Sequence, residues 1–149
     1  MPDGDDALDD ALSDGDDPTA RVRRRVREQH PETLDRVWRA ADAVADEWTA
    51  PPSDRTGVTE PFERRLTSDD RAGLLAVLET AAEALGASLP ADPVPAPPYL
   101  VVTATGPILR ATLPDCRLVV ELRAFTVSRA SDGPATYRRD DDRIRVRLR

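Results

Sequence analysis

The chain has 149 residues, a formal net charge of −7, one cysteine and one histidine. A disulfide scaffold needs at least two cysteines and a structural zinc site needs about four Cys or His ligands, so both classes are excluded. No apolar run approaches the ~18 residues of a membrane span, and the acidic first residues are unlike a secretory leader, which predicts a soluble cytoplasmic protein with no membrane partner.

The composition also indicates a habitat. All 21 basic residues are Arg, and most of the 28 acidic residues are Asp. A dense carboxylate surface keeps its hydration in molar salt, where the Debye length is about 3 Å. The composition therefore resembles that of a haloarchaeal cytoplasmic protein. A GC-rich genome, which also favours Arg, Ala, Pro and Asp, is the alternative explanation.

Charge is unevenly distributed along the chain. Residues 1–17 contain eight Asp, no basic residue and few large apolar residues, which predicts a disordered acidic tail. A mimic of nucleic-acid charge, or a shield over a basic site, is the functional alternative for this tail. Residues 18–98 carry a net charge of −3, whereas residues 99–149 carry +4, so the acidic total conceals a basic C-terminal third.

The first half of the chain has helical patterning. A helix is predicted to begin at Pro18 with Asp17 as its N-cap, and Pro31 interrupts it. Between Leu34 and Trp48, apolar residues recur at steps of three and four, as on one face of a helix.

After this segment, residues 51–66 are predicted to be irregular, with a short helical turn at Pro61–Leu66. A third helix is predicted after Thr67, whose pairing with Asp70 resembles a capping box, and Gly86 is placed to end it.

Residues 87–98 contain five prolines and predict an extended connector. After Tyr99 the apolar period changes to two, which predicts antiparallel strands with short turns. Turns are expected at Gly106-Pro107 and at Asp140–Asp142, and Phe125 breaks the alternation, which predicts a bulge or a two-sided strand. The expected strands are Tyr99–Thr105, Ile108–Leu113, Leu118–Ser128, Ala135–Arg139 and Arg143–Arg149.

These elements predict an α+β fold in which two to three N-terminal helices pack on a C-terminal antiparallel β-meander of four to five strands. The expected organisation is a single domain over residues 18–149. Its helical part spans residues 18–86, the Pro-rich connector residues 87–98 and the sheet residues 99–149.

The strongest candidate site is a row of arginines on the last strand: Arg143, Arg145, Arg147 and Arg149. Side chains on one face of a strand repeat every ~6.6–6.8 Å, near the spacing of phosphates along a nucleic-acid strand, roughly 6–7 Å. The row therefore predicts an anion-binding face, to which Arg110, Arg123, Arg138 and Arg139 would add. An exposed edge strand whose charges discourage pairing, or are neutralised by Glu121 and Asp140–Asp142, is the alternative.

No pattern predicts catalysis or metal binding. His30 lies beside Pro31 at a helix break, which favours a capping or surface role over that of a general base. Cys116 falls in a turn, an unfavourable place for an activated thiolate. Asp140–Asp142 lack the spacing of a calcium loop. No catalytic residue, metal or cofactor is therefore expected.

Three segments resemble known sequences. The run from Pro97 to Thr103, with the run from Gly106 to Asp115, is similar to the C-terminal part of uncharacterised haloarchaeal proteins of about this size. The segment from Leu34 to Trp48, with its Val37-Trp38 pair, is similar in the same proteins. The resemblance covers most of residues 21–149 and implies a shared habitat and fold, but no known activity or functional residues.

Two functional hypotheses follow. The first is a small non-enzymatic protein that acts through protein contacts, with a homodimer formed at a free sheet edge. The second is an anion-binding or nucleic-acid-binding module that uses Arg143, Arg145, Arg147 and Arg149.

Overall fold

A computed structural model describes residues 17–129 and 133–149 and confirms the α+β class. Four helices come first, one more than the predicted maximum: α1 (Pro18–Gln29), α2 (Pro31–Asp46), α3 (Thr56–Arg65) and α4 (Ser68–Ala84). Four strands follow: β1 (Leu100–Thr103), β2 (Gly106–Thr112), β3 (Arg117–Arg129) and β4 (Ala135–Leu148). The predicted acidic tail, apart from Asp17, lies outside the described residues.

The starts of α1 and α4 follow from local capping chemistry, as the sequence predicts. Asp17 Oδ1 accepts the Thr19 N–H at 3.0 Å, and Pro18 occupies the first helical position, where a missing N–H costs little. At α4, the Asp70 N–H donates to Thr67 Oγ1 and the Thr67 N–H donates to Asp70 Oδ2, both at 3.0 Å. This reciprocal pair is a capping box.

The stretch predicted to be irregular, residues 51–66, instead contains α3. The prediction was wrong because its prolines reduce local helix propensity, and Pro61 lies inside the helix. Val58 and Phe62 of α3 are fully buried, with 0% exposure. Tertiary packing of this apolar face therefore offsets the weak propensity of the segment.

The four strands form one sheet in the order β1-β2-β3-β4, with every neighbouring pair antiparallel. Thr103 pairs with Gly106, so the first hairpin turns at Ala104 and Thr105, and the turn predicted at Gly106-Pro107 was wrong. The Thr105 carbonyl accepts the N–H groups of Ala124 and Phe125 at 2.8 and 3.1 Å. The tip of this hairpin is therefore held against β3.

A bulge interrupts the pairing of β3 with β4. Arg123 pairs with Arg143 and Phe125 pairs with Arg139, so Asp140–Asp142 stand opposite Ala124 alone. The bulge predicted near Phe125 is therefore confirmed, whereas the turn predicted at Asp140–Asp142 was wrong. These three aspartates lie inside one 14-residue strand instead of separating two strands.

The core lies between the helices and one face of the sheet. The Phe125 ring packs against Trp48 with centroids 5.7 Å apart and edge-on against Phe62 at 5.4 Å. Buried positions from the sheet alternate along the strands: Leu109, Leu118, Val120, Leu122, Ile144 and Val146. The residues between them therefore face away from the helices. No helix in the described ranges is both long and apolar enough to cross a membrane.

Candidate anion-binding face

The sheet face opposite the core carries arginines from three strands. The pairing places Val119 between Arg110 and Arg147, and Arg117 exchanges backbone hydrogen bonds with Arg149 at 2.8 and 3.0 Å. Directly paired residues share a face, so these side chains lie together. We call this surface the arginine face; its members are Arg110, Arg117, Arg123, Arg143, Arg145, Arg147 and Arg149.

The last strand places all four predicted row residues on this face, but two of them have carboxylate partners. Arg147 forms an ion pair with Glu121, which is consistent with the predicted neutralisation. Arg143 Nη2 donates to Asp140 Oδ2 at 2.7 Å. Two of the four row arginines are therefore already paired with carboxylates of the protein itself.

The other two row residues are open to ligands. Arg145 and Arg149 are exposed, and no carboxylate of residues 17–129 or 133–149 lies within 4.0 Å of either guanidinium. Arg145 lies directly opposite Glu121 in the strand register, yet that carboxylate is paired with Arg147 instead. Two exposed guanidinium groups on one sheet face can thus receive an anion without first breaking an ion pair.

Three segments form this face: Gly106–Thr112 of β2, Arg117–Arg123 of β3, and Arg143–Arg149 at the end of the chain's last strand. At the outward-facing positions of these segments, Glu121 is the one residue with a carboxylate side chain. The residue is only 8% exposed, and Arg123 Nη1 lies 3.8 Å from its Oε2. The Nε atoms of Arg123 and Arg147 are buried without an acceptor among the described residues.

Electrostatics at the β3–β4 bulge keep Asp140 ionised. Burial raises the pKa of its carboxyl, but hydrogen bonds from Arg143 and the Asp141 N–H outweigh burial and hold the pKa below the ordinary value. The same hydrogen bond to Asp140 raises the pKa of Arg143. This pair is therefore charged on both sides throughout the usual pH range.

A cavity of about 470 Å³ opens where α1 meets the bulged end of the arginine face. Arg23 of α1 lines it together with Arg123, Arg143 and Arg145. The pattern of basic residues from Arg21 to Arg27 predicts a solvated helix face, with a partner-binding face as the alternative, and gives no reason to place Arg23 beside the last strand. No signal in a single sequence connects residues that are a hundred or more positions apart.

A second cavity, of about 310 Å³, lies at the opposite end of the face. Arg110, Thr112 and Arg117 line it from the sheet, and Pro98 and Tyr99 line it from the end of the connector. The sequence singled out Arg110 as an addition to the row, but gave no reason to place it beside an aromatic ring.

The single histidine and cysteine lie away from this face. His30 Nε2 is 2.6 Å from Thr80 Oγ1, and burial lowers the pKa of the imidazole. Cys116 is a half-buried free thiol in the turn between β2 and β3. Within the part of the chain that the structure describes, no three His, Cys, Asp or Glu residues gather as a metal site.

The fold and this face define a small α+β domain with an arginine-rich sheet surface. Residues 20–149 match the family described as a domain of unknown function (DUF7988), and the chain belongs to that family. No curated protein matches the chain, and no solved structure matches it.

Proposed function

We propose that this domain is a non-enzymatic binding module whose arginine face holds single-stranded nucleic acid by its phosphates. The observation that carries the proposal is the accumulation of seven arginines on a single sheet face, where only two carboxylates, Glu121 and Asp140, are paired with them among the described residues. Positive charge gathered on one face attracts a polyanion more strongly than the same charge spread over a surface.

The dimensions of the face support this ligand. Arg145 and Arg147 of β4, with Arg149 directly after it, repeat every ~6.6–6.8 Å, and phosphates along one strand are spaced by roughly 6–7 Å. From Arg117 to Arg123 the face extends about 20 Å along β3. A backbone of three or four phosphates therefore spans the face, with the four-arginine cavity at one end.

The composition supports a finer proposal about habitat, namely the cytoplasm of a halophile. Phosphate contacts weaken as salt rises, because the counterions that binding releases gain less entropy in a more concentrated solution. A ligand held in molar salt therefore needs bidentate hydrogen bonds or stacking in addition to attraction between charges.

Binding to a short labelled oligo(dT), followed by fluorescence anisotropy over a salt series, tests the proposal. We expect measurable binding at about 50 mM KCl and a linear fall of log K with log salt. Replacing both unpaired row residues, Arg145→Ser with Arg149→Ser, should reduce the magnitude of the slope by about 1.4, because two phosphate contacts are lost.

The matched control is Arg36→Ser with Arg64→Ser. It removes the same charge from exposed helix positions that have no ion pair among the described residues. Absence of binding at low salt, or an equal loss in both double variants, would show that the arginine face is not the site.

Glu121 gives a second test, because its carboxylate opposes a polyanion while it stabilises the fold. We expect Glu121→Gln to raise oligonucleotide affinity about fivefold at low salt, since one nearby negative charge is removed. Loss of the ion pairs with Arg147 and Arg123 should cost about 1–2 kcal/mol of unfolding free energy, reduced from the fully buried case because Arg147 is 37% exposed. Urea titration measures that cost.

Glu79→Gln on the exposed side of α4 is the control for the Glu121 variant. It changes the net charge by the same amount and should leave the oligonucleotide affinity and the free energy of unfolding nearly unchanged. Unchanged oligonucleotide affinity in Glu121→Gln would contradict the placement of the ligand over Glu121.

A homodimer is a second candidate, and the position of β4 at the edge of the sheet favours it. Part of this edge is already used, because the Tyr137 N–H donates to the Pro52 carbonyl at 2.8 Å. Pairing of two copies therefore needs the stretch from Arg143 to Leu148. Light scattering in molar KCl should then give twice the chain mass of 16.3 kDa, whereas a monomer at every concentration would contradict the dimer.

A further inference from the structure

We infer that the cavity beside Tyr99 is a binding site for a planar aromatic ring that carries an anionic group, with a nucleoside monophosphate as the ligand. It is lined by Pro90, Pro98, Tyr99, Arg110, Thr112 and Arg117. The site shares Arg110 and Arg117 with the arginine face, but it uses neither Arg145 nor Arg149, so variants of those two residues distinguish it from the oligonucleotide proposal.

The cavity exists because two neighbouring strands have different lengths. β1 begins at Leu100, which pairs with Leu109, whereas β2 continues to Thr112. The last residues of β2 therefore have β3 on one side and no strand on the other. The connector bends past this uncovered edge and places Pro90 and Pro98 across from it.

The uncovered edge supplies a backbone donor. The Arg110 N–H donates toward β1, to the Tyr99 carbonyl at 2.9 Å, and the Leu113 N–H donates toward β3, to the Cys116 carbonyl at 2.8 Å. Because hydrogen-bonding direction alternates along a strand, the Thr112 N–H points to the same side as that of Arg110. At Thr112 the β1 side is the cavity, so this N–H is available to a ligand.

Arg117, the register partner of Thr112, does not use that donor. Its own N–H and carbonyl are both bonded to Arg149, at 2.8 and 3.0 Å, on the β4 side. The Thr112 and Arg117 pair is therefore of the type that exchanges no backbone hydrogen bonds.

Two guanidinium groups complete the anion-binding part of the cavity. Arg110 and Arg117 are exposed, and the described residues place no carboxylate within 4.0 Å of either. Each guanidinium can donate two parallel hydrogen bonds to a phosphate, and the Thr112 hydroxyl adds a further donor. This set fits a phosphate dianion better than a single carboxylate.

The remaining wall is apolar and planar. Tyr99 is half-buried against the core, which fixes its ring, and two prolines border the same space. Stacking of a base on an aromatic side chain contributes about 1–3 kcal/mol and is insensitive to salt compared with phosphate contacts. The volume of about 310 Å³ is at the low end for small-molecule sites, which suits a mononucleotide.

Isothermal titration of the full chain in molar KCl with AMP, adenosine, inorganic phosphate and 1-naphthoate tests the inference. We expect AMP to bind about tenfold more tightly than adenosine or phosphate alone, because only AMP engages both parts of the cavity. A preference for 1-naphthoate over AMP would overturn the phosphate assignment, and equal affinity for AMP and phosphate would overturn the stacking assignment.

Two surface variants separate this site from the oligonucleotide proposal. Arg110→Ser with Arg117→Ser should reduce AMP affinity to that of adenosine, whereas Arg145→Ser with Arg149→Ser should leave AMP affinity unchanged. An equal loss of AMP affinity in the two double variants would overturn the inference, even if oligonucleotide binding is observed. Both pairs are exposed, so circular dichroism should show folded protein in each case.

Discussion

Replacement of Arg139 with Lys is expected to lower the free energy of unfolding by about 3 kcal/mol. The reason is that its guanidinium donates hydrogen bonds to the backbone carbonyls at the β3–β4 bulge. Its Nη1 donates to the carbonyls of Ala124 and Asp140 at 2.7 and 2.8 Å. Its Nε donates to Asp42 of α2 at 2.9 Å, and the group lies 5.9 Å from the centroid of the Trp38 ring. A lysine ammonium is a single point charge and cannot reach these acceptors together.

The same guanidinium joins the bulge to α2, so its loss should also loosen the contact between helix and sheet. Urea denaturation at constant KCl measures the effect, and Arg138→Lys is the matched control. Arg138 is adjacent and exposed, and it has no ion pair among the described residues. Equal stability of the two lysine variants would show that the bulge does not need the guanidinium.

A second large effect is expected for Gly106→Ala, which should destabilise the fold by about 4 kcal/mol. Gly106 has φ of +137°, a region that side chains rarely adopt. An added Cβ would also lie 1.9 Å from the Leu122 carbonyl oxygen, so backbone must move. The effect therefore combines strain with a steric clash between β2 and β3.

Gly86→Ala is the control that separates these two causes. Gly86 has φ of +75°, and an added Cβ there would meet nothing within 4 Å. The free energy of unfolding of Gly86→Ala should fall by about 1–2 kcal/mol, which is the cost of a left-handed conformation alone. If thermal or urea unfolding gives the same loss for both variants, the close approach of Gly106 to Leu122 does not limit stability.

Much of the fold follows from short-range patterns in the sequence. Asp17 and Thr67 start helices because their side chains accept orphan N–H groups, and Gly86 ends one because it tolerates a left-handed conformation. The change of period after Tyr99 marks the sheet because buried positions must alternate on a strand. Each of these signals acts within a few residues, so a single sequence contains it.

The parts that were predicted wrongly depend on distant partners. Asp140–Asp142 have the composition of a turn, but Arg139 and the Ala124 carbonyl hold them inside a strand. The prolines of residues 51–66 disfavour a helix locally, yet burial of Phe62 makes α3 favourable. In both cases tertiary contacts outweigh a correct local preference.

The candidate site also combines features that follow from short-range sequence patterns with features that depend on distant contacts. Alternation along β4 predicts a row of arginines on one face, and the structure places the row there. Neutralisation of the row by Glu121 and Asp140–Asp142 is an alternative that the sequence leaves open, and the ion pair of Arg147 with Glu121 is consistent with it. Arg23 and the cavity beside Tyr99 could not be foreseen, since the first depends on helix docking and the second on where β1 ends.

Charge is divided unequally between the parts of the chain. The helical half, residues 18–98, has a net charge of −3, the sheet half, residues 99–149, has +4, and residues 1–17 carry a further −8. In dilute buffer the net charge of −7 makes two molecules repel each other, and this repulsion is weakest where the sheet of one faces the helices of the other. At about 1 M salt both interactions are screened beyond about 3 Å. The division of charge therefore influences association of the protein mainly at low salt.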